Sequence, residues 1–310
     1  MNVLVTGGTG YLGQAIVRAL ARQGHSPTVF ARRATASPDL PGACFNGDIR
    51  DHAAVRAAVR GMDAVIHTAA LVSVWRKDPA DFDRINVGGL ETVIDVCATY
   101  GTPRLVVTSS FLALPPPGQS RPLEANAYQR SKVRAREVAR MAVSRGLPLV
   151  TVTPGVIYGP GVESEGNLVG RLIRDHLAGR LPGIIGADRT WAFSFVDDVA
   201  DAHVRAMAAG TPGADYGAGG ENAPQVRAFE ILRELTGRPL PRRIPAPVAY
   251  LVGLADEIRA AHGGATPRLT RGTARILAHD WPLDIRRTIQ ELSYRVTPVA
   301  TGIRAMLAQP

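Results

Sequence analysis

The chain has 310 residues, 45% hydrophobic and 20% charged, which fits one large α/β unit or a main domain with a smaller lobe and excludes a disordered chain or a membrane bundle. Two cysteines, Cys44 and Cys97, are too few for a disulfide framework or a cysteine-rich metal site, so a reducing cytoplasmic setting and no metal are expected. The net charge of +9 admits an anionic partner, but the arginines are scattered, without a Lys/Arg run or a stacking platform of aromatics, which argues against nucleic acid.

Short β-branched runs over 3–6, 28–31, 64–68, 105–108 and 149–153 alternate with stretches of helical spacing over 11–23, 52–59, 81–99 and 127–144. That alternation predicts an α/β, doubly wound parallel sheet covered on both faces by helices. The first strand follows Met1 and Asn2 directly, and no targeting segment is expected. After Pro154 glycine and proline become frequent, and helical patterns over 199–209 and 228–235 dominate. This predicts a smaller C-terminal substrate lobe over 156–310, with some segments returning to the main sheet. The longest apolar run, 245–255, is shorter than the ~20 residues a bilayer span needs. It reads as a core helix of the lobe, with docking on a membrane surface as the alternative and no stable membrane insertion.

Thr6-Gly7-Gly8-Thr9-Gly10-Tyr11-Leu12-Gly13 leaves the first strand and opens the first helix. Glycines in that setting allow a tight turn and bring backbone against a pyrophosphate at the helix N-terminus. Gly7, Gly10, Tyr11, Leu12 and Gly13 are therefore candidate cofactor contacts, and 1–155 reads as a dinucleotide-binding domain. An NAD enzyme places a carboxylate at the end of the second strand, where it holds the ribose 2′-hydroxyl. Here that strand ends Phe30-Ala31-Arg32-Arg33, and the next carboxylate is Asp39. Arg32 and Arg33 suit a 2′-phosphate, so NADP is expected in preference to NAD. Two ordinary surface arginines in an arginine-rich chain is the competing explanation.

Tyr128-Gln129-Arg130-Ser131-Lys132 sets a phenol and an ammonium four residues apart, on one face of the predicted helix. Of the 36 basic side chains only Lys77 and Lys132 are lysines. An adjacent ammonium and a ribose hydroxyl can lower a phenol from its ordinary pKa of about 10. Lysine's rotatable donors also reach both ribose hydroxyls better than the planar arginine fork does. Tyr128 and Lys132 are the candidate acid/base pair.

With these two signatures the chain resembles the extended short-chain dehydrogenase/reductase family, over nearly its whole length. Gly47-Asp48-Ile49, His67-Thr68-Ala69-Ala70, Ile85-Asn86-Val87 and Thr108-Ser109-Ser110 look like further elements of that family. So do Pro154-Gly155-Val156-Ile157-Tyr158-Gly159-Pro160, Phe195-Val196-Asp197-Asp198-Val199 and Glu291-Leu292-Ser293-Tyr294. The resemblance implies a Rossmann-type fold in which Tyr128 is the acid/base and Lys132 holds the ribose and lowers the phenol's pKa. It implies that Ser110, rather than Ser109, binds the reacting oxygen, and that Asn86 completes a proton relay, with capping or bracing of its own helix as the alternative. It further implies cofactor contacts at Asp48, Ile49, Ala69, Pro154 and Val156; His67 is read as structural. Family members often form homodimers through the helices carrying Asn86 and Lys132, although here the second bears Arg130, Arg134, Arg136 and Arg140.

Departures from the family's patterns narrow the activity. Its dehydratases need carboxylates just after the serine, where Phe111 and Leu112 stand and can do no acid/base work. Its nucleotide-sugar epimerases place a diphosphate-binding arginine where Trp191 stands, with Arg189 two residues away as the nearest substitute. The loop Leu71-Val72-Ser73-Val74-Trp75 is mostly apolar, and Val72, Trp75, Phe111, Tyr158 and Trp191 are expected to line a pocket for a hydrophobic carbonyl or secondary alcohol. Packing of the lobe interface is the competing explanation for these side chains. The chain most resembles the dihydroflavonol reductase and 3β-hydroxysteroid dehydrogenase-like branch, together with bacterial hopanoid-associated epimerase-like proteins. That implies an NADP-dependent ketone reductase or alcohol dehydrogenase acting on a small molecule. A nucleotide-sugar epimerase with tightly bound cofactor and a non-catalytic dinucleotide sensor are the alternatives, and a sensor would not need the Tyr128 and Lys132 pair.

Overall fold

Strands that are apolar at successive positions are stable only when both faces are covered, and the first half of the chain is built from them. They are β1 (Asn2–Thr6), β2 (Ser26–Ala31), β3 (Ala43–Asn46), β4 (Ala64–His67), β5 (Leu105–Thr108) and β6 (Leu149–Pro154). Every residue of β4 and β6 is buried, whereas β3, a strand the sequence pattern misses, is a half-exposed edge. The helices between them are α1 (Tyr11–Arg22), α2 (His52–Val59), α3 (Ala80–Asn86), α4 (Gly88–Tyr100) and α5 (Ala127–Ser144). The computed structural model describes residues 1–37, 39–102 and 104–308.

The remainder continues with β7 (Val156–Tyr158), α6 (Leu168–Leu177), β8 (Ile184–Ile185), β9 (Thr190–Phe195), α7 (Val196–Ala209), β10 (Asp215–Ala218) and β11 (Glu221–Pro224). Then come α8 (Arg227–Thr236), β12 (Arg243–Ile244), α9 (Ala246–Ala261), α10 (Arg271–Leu277), α11 (Arg286–Leu292) and α12 (Val299–Leu307). Seven strands pair in the order β3-β2-β1-β4-β5-β6-β10, all parallel. This is the doubly wound, Rossmann-like sheet, with its order reversing between β1 and β4. A ligand crevice opens at the carboxyl ends of the strands at such a point.

Residues of α1, α7 and α11 bury one face of the sheet, and residues of α2, α4 and α5 bury the other. Each Leu or Ile fully withdrawn from water, such as Ile16, Leu20, Ile66 or Leu90, contributes about 1.5–3 kcal/mol. Although they lie late in the chain, α7 and β10 complete the main sheet and its cover. A three-stranded sheet, β11-β9-β7, and the β8 and β12 pair stand beside it. Their core is aromatic, with Tyr158, Trp191, Phe193, Phe229 and Trp281 buried together.

Two elements differ from the sequence expectation. The helix over 81–99 is two helices broken at Val87, because Gly88 and Gly89 weaken helix propensity there and a Cβ at Gly89 would lie 2.8 Å from Ile49. The bare glycine lets α4 settle directly on that side chain. The run over 245–255 is not a core helix. It forms most of α9, which buries only Ala249, Gly253 and Ala260, because among the described residues it packs mainly on α10. Among the described residues no helix is long and apolar enough to cross a membrane.

Candidate active site

The crevice at the ends of β1 and β4 is built of backbone. Gly7 turns at φ +72°, and a Cβ there would lie 2.7 Å from the Ala69 Cα, so only glycine lets the turn rest against the end of β4. A Cβ at Gly13 would lie 2.1 Å from the Gly7 carbonyl oxygen, so a side chain there would push α1 off the turn. Gly10 precedes α1 with no side-chain cap, and the first helical bond is donated by the Gln14 amide to the Gly10 carbonyl at 2.9 Å. The amides of Tyr11, Leu12 and Gly13 are therefore open donors at the positive end of a helix, as a pyrophosphate requires. The side chains of Tyr11 and Leu12 are buried instead. The Tyr11 phenol donates to the Gly159 carbonyl at 2.9 Å and ties α1 to the turn after β7; burial holds its pKa far above the usual value.

Arg32 and Arg33 leave β2 exposed, and neither forms an ion pair among the described residues. Asp48, nearby, is gripped by Arg50, whose Nε and Nη2 donate to its oxygens at 2.9 and 2.7 Å. Those bonds hold the Asp48 carboxyl down at about 2 against the opposing effect of burial, and the Arg32 charge adds a small pull in the same direction. Ile49 is buried beneath Gly89. Pro154 ends β6 and Val156 begins β7; the Gly155 amide between them donates to Ser194 Oγ at 3.0 Å and fixes the turn.

Asn126 caps α5, its Oδ1 accepting from the Gln129 amide at 2.8 Å, while the Gln129 side chain donates to the Leu112 carbonyl at 3.0 Å. These bonds lock the start of α5 against the segment after β5. Lys132 is buried, and its Nζ donates to the Thr108 carbonyl at 3.3 Å. Burial lowers the ammonium to about 8. Burial also pushes the Tyr128 phenol up to about 12, while a hydrogen bond with the Ser110 hydroxyl pulls the other way. The expectation that Lys132 lowers the phenol is not met in the free protein, because the ammonium is turned toward Thr108 and desolvation dominates. The phenol keeps its proton across the neutral range and is poised as a donor.

Asn86 connects rather than braces its own helix. Its Oδ1 accepts from the Leu71 amide at 2.6 Å, and its Nδ2 donates to the Leu71 carbonyl at 3.1 Å and to Ser131 Oγ at 2.8 Å. Ser131 Oγ in turn donates to the Tyr128 carbonyl at 2.8 Å, so Asn86 staples the loop after β4 to the helix bearing Tyr128. Asn86→Ala strands these partners, and we expect a loss of about 1–3 kcal/mol in urea unfolding. An unchanged midpoint and slope would contradict this role.

Residues that sequence reasoning missed support the same strand end. His203 Nδ1 lies 2.8 Å from the Val199 carbonyl and its Nε2 lies 2.8 Å from Thr108 Oγ1. A carbonyl can only accept, so Nδ1 carries the proton and Nε2 accepts from the threonine hydroxyl. Burial lowers this imidazole to about 4 and keeps it neutral. His67, read as structural, is also neutral: burial, then the Lys132 charge, lower it to about 3, and its Nδ1 lies 2.8 Å from Thr6 Oγ1. Only the folding of α7 onto the sheet brings His203 to β5, and no local pattern announces it.

The buried Ser109 hydroxyl has no partner among the described residues and borders a cavity lined by His67, Ala69, Asn86 and Lys132. An orphaned hydroxyl there, the open α1 amides and the bare Gly7 turn together fit a nicotinamide dinucleotide. The α1 N-terminus would hold its pyrophosphate and Lys132 its ribose hydroxyls.

On the substrate side, Val72 is exposed and Trp75 half-buried, in a loop closed by the Ser73 hydroxyl donating to the Trp75 carbonyl at 3.0 Å. Phe111, Tyr158 and Trp191 do not form an open lining. The Phe111 ring centroid lies 5.5 Å from that of Trp191 and 5.7 Å from that of Trp281, and all three rings are buried. Tyr158 is 0% exposed, edge-on to Phe193 and Phe195. Large rings are the most economical filling for a small lobe, since each buries about 150–250 Å². Packing thus claims these three. Arg189, the substitute for a diphosphate-binding arginine, is paired with Asp280 at 3.2 Å.

Residues 3–219 match the NAD dependent epimerase/dehydratase family. The chain is 33% identical to sterol demethylase protein B of Methylococcus capsulatus, over 99% of this chain and 96% of that protein. It is 30% identical to 3β-hydroxysteroid-dehydrogenase/decarboxylase isoform 2 of Arabidopsis thaliana, over 84% of this chain and 50% of that one. Its fold also matches the crystal structure of Thermus thermophilus UDP-glucose 4-epimerase in complex with NAD, with a TM-score of 0.75, 22% identity and 100% of each chain covered. The chain belongs to the NAD dependent epimerase/dehydratase family, the extended short-chain dehydrogenase/reductases, as an NAD(P)-dependent oxidoreductase.

Proposed function

We propose that the protein interconverts a bulky hydrophobic ketone and its secondary alcohol using NADP(H), with a sterol-like ring system as the favoured class. The observation that carries this reading is a half-buried phenol held protonated beside Ser110, followed by Phe111 and Leu112 where a dehydratase would need carboxylates. The names of two relatives, a sterol demethylase protein and a hydroxysteroid dehydrogenase/decarboxylase, point to the same chemistry. The exposed Arg32 and Arg33, without an ion pair among the described residues, support the phosphorylated cofactor.

When bound, the cofactor supplies the hydride that reaches the carbonyl carbon. Ser110 orients the carbonyl oxygen by donating a hydrogen bond. Tyr128 gives the phenolic proton to that oxygen as negative charge develops there, and takes it back in the alcohol-oxidising direction. Lys132, still largely an ammonium at neutral pH, favours the phenolate left behind and holds the ribose. The apolar loop 71–75 keeps water from the reacting carbon.

A panel of ketones assayed with NADPH, followed at the cofactor's absorbance, tests the reading. We expect turnover of polycyclic and other bulky hydrophobic ketones, and no calorimetric binding of UDP-glucose. Tight binding of the nucleotide sugar without any ketone turnover would instead identify an epimerase.

A further inference from the structure

Helix α9 is built inside out. Its small residues, Ala249, Gly253 and Ala260, face the protein, and a Cβ at Gly253 would lie 2.7 Å from the backbone of Thr270 and Arg271, so the helix sits hard against the start of α10. Most of its large apolar residues face solvent: Val248 is 49% exposed, Leu251 63%, Val252 48% and Ile258 52%, while Leu254 is half-buried. Val248, Leu251, Ala255 and Ile258 follow one another at helical spacing and form a single stripe. A helix resting on a water-soluble core carries its apolar stripe inward. A contiguous apolar face turned outward marks an interaction surface.

The chain on either side of this stripe is cationic. Between positions 238 and 275 the chain has seven arginines and two carboxylates. Both carboxylates are neutralised locally: Asp256 accepts from Arg259 at 2.9 Å and Glu257 from Arg271 at 2.7 Å. Arg242, Arg268 and Arg275 are exposed and form no ion pair among the described residues.

We infer that α9 docks this protein on the surface of an anionic lipid bilayer. The apolar stripe enters the headgroup boundary and the flanking arginines meet lipid phosphates. The exposed stripe lies along one helix, which suits a planar apolar phase; a peptide partner needs a groove. A second copy would bring the same arginine rim against itself, and like charges facing across an interface oppose association. The helix that α9 packs on also reaches the segment leading into the active-site helix. A Cβ at Gly272, in α10, would lie 2.4 Å from the Ala125 carbonyl oxygen, and the adjacent Asn126 caps the helix that carries Tyr128. Delivery of a lipophilic substrate from the bilayer rests on the proposed ketone chemistry, whereas docking itself does not.

Sedimentation with vesicles tests the docking without any substrate. The unmodified protein should pellet with vesicles of equal parts phosphatidylglycerol and phosphatidylcholine at low salt, and much less with phosphatidylcholine alone or at about 0.5 M salt. Leu251→Ser with Ile258→Ser should weaken partitioning at least about tenfold by removing buried apolar area. Arg242→Gln, Arg268→Gln and Arg275→Gln together should weaken it by about fivefold for each charge removed. All five positions are exposed and outside the catalytic set, so ketone turnover in buffer should not change. A protein that stays in the supernatant with anionic vesicles overturns the inference, as does equal binding by both variants. Light scattering that finds a dimer, dissolved by Leu251→Ser with Ile258→Ser, would assign the stripe to self-association and equally overturn it.

Discussion

Tyr128→Phe should lower kcat by about 10²–10⁴ and leave the protein folded, the usual contribution of a general acid. The change deletes one oxygen and keeps the ring, so its tilted contact with Phe82, at 6.2 Å between centroids, survives. Thermal unfolding should therefore be close to that of the unmodified protein while steady-state turnover collapses. The pH profile should carry a second signature. The phenol, pushed up to about 12, does not titrate in the working range, but Lys132, lowered to about 8, does. The protonated lysine is the active form, so kcat/KM, which reports the free enzyme, should hold below about 8 and fall above it. Lys132→Arg should remove that limb and most of the activity, because a planar fork cannot reproduce the ammonium's contacts. A folded Tyr128→Phe protein with full activity would defeat the mechanism.

Arg32→Ala combined with Arg33→Ala should weaken NADPH by roughly 10- to 150-fold while leaving NADH nearly unchanged. That range corresponds to one charge-assisted hydrogen bond to the 2′-phosphate, about 1.5–3 kcal/mol. Both guanidiniums are exposed and have no ion pair among the described residues, so their removal should not disturb the fold. Because the contact is open to solvent, salt at about 0.5 M should narrow the NADPH advantage of the unmodified protein by screening. Equal kcat/KM with the two cofactors, or a preference for NADH, would make these arginines ordinary surface residues.

Features legible in the sequence were those whose cause is local. The turn from β1 into α1 needs bare backbone at Gly7 and Gly13, and this requirement is written in a run of eight residues. Tyr128 and Lys132 share a face because four residues make about one helical turn. The alternation of buried strands with helices identified the parallel sheet for the same reason, and the helices over 52–59 and 127–144 have the observed bounds.

Interactions between distant segments were not legible. Phe111, Trp191 and Trp281 come from separate parts of the chain, and only their mutual burial turned Phe111 and Trp191, expected to line a pocket, into lobe core. Asn86 was recognisable as a site residue, but its partners Leu71 and Ser131 depend on how α3 and the loop after β4 meet α5. The Tyr128 phenol was expected to be lowered by a neighbouring charge and is raised instead, since desolvation depends on everything packed around a group. The apolar run in α9 shows most plainly where the division falls. Its composition by itself required an apolar neighbour, and the tertiary structure decided which face α10 would cover, because close backbone packing selected Ala249, Gly253 and Ala260 and left the larger side chains outside.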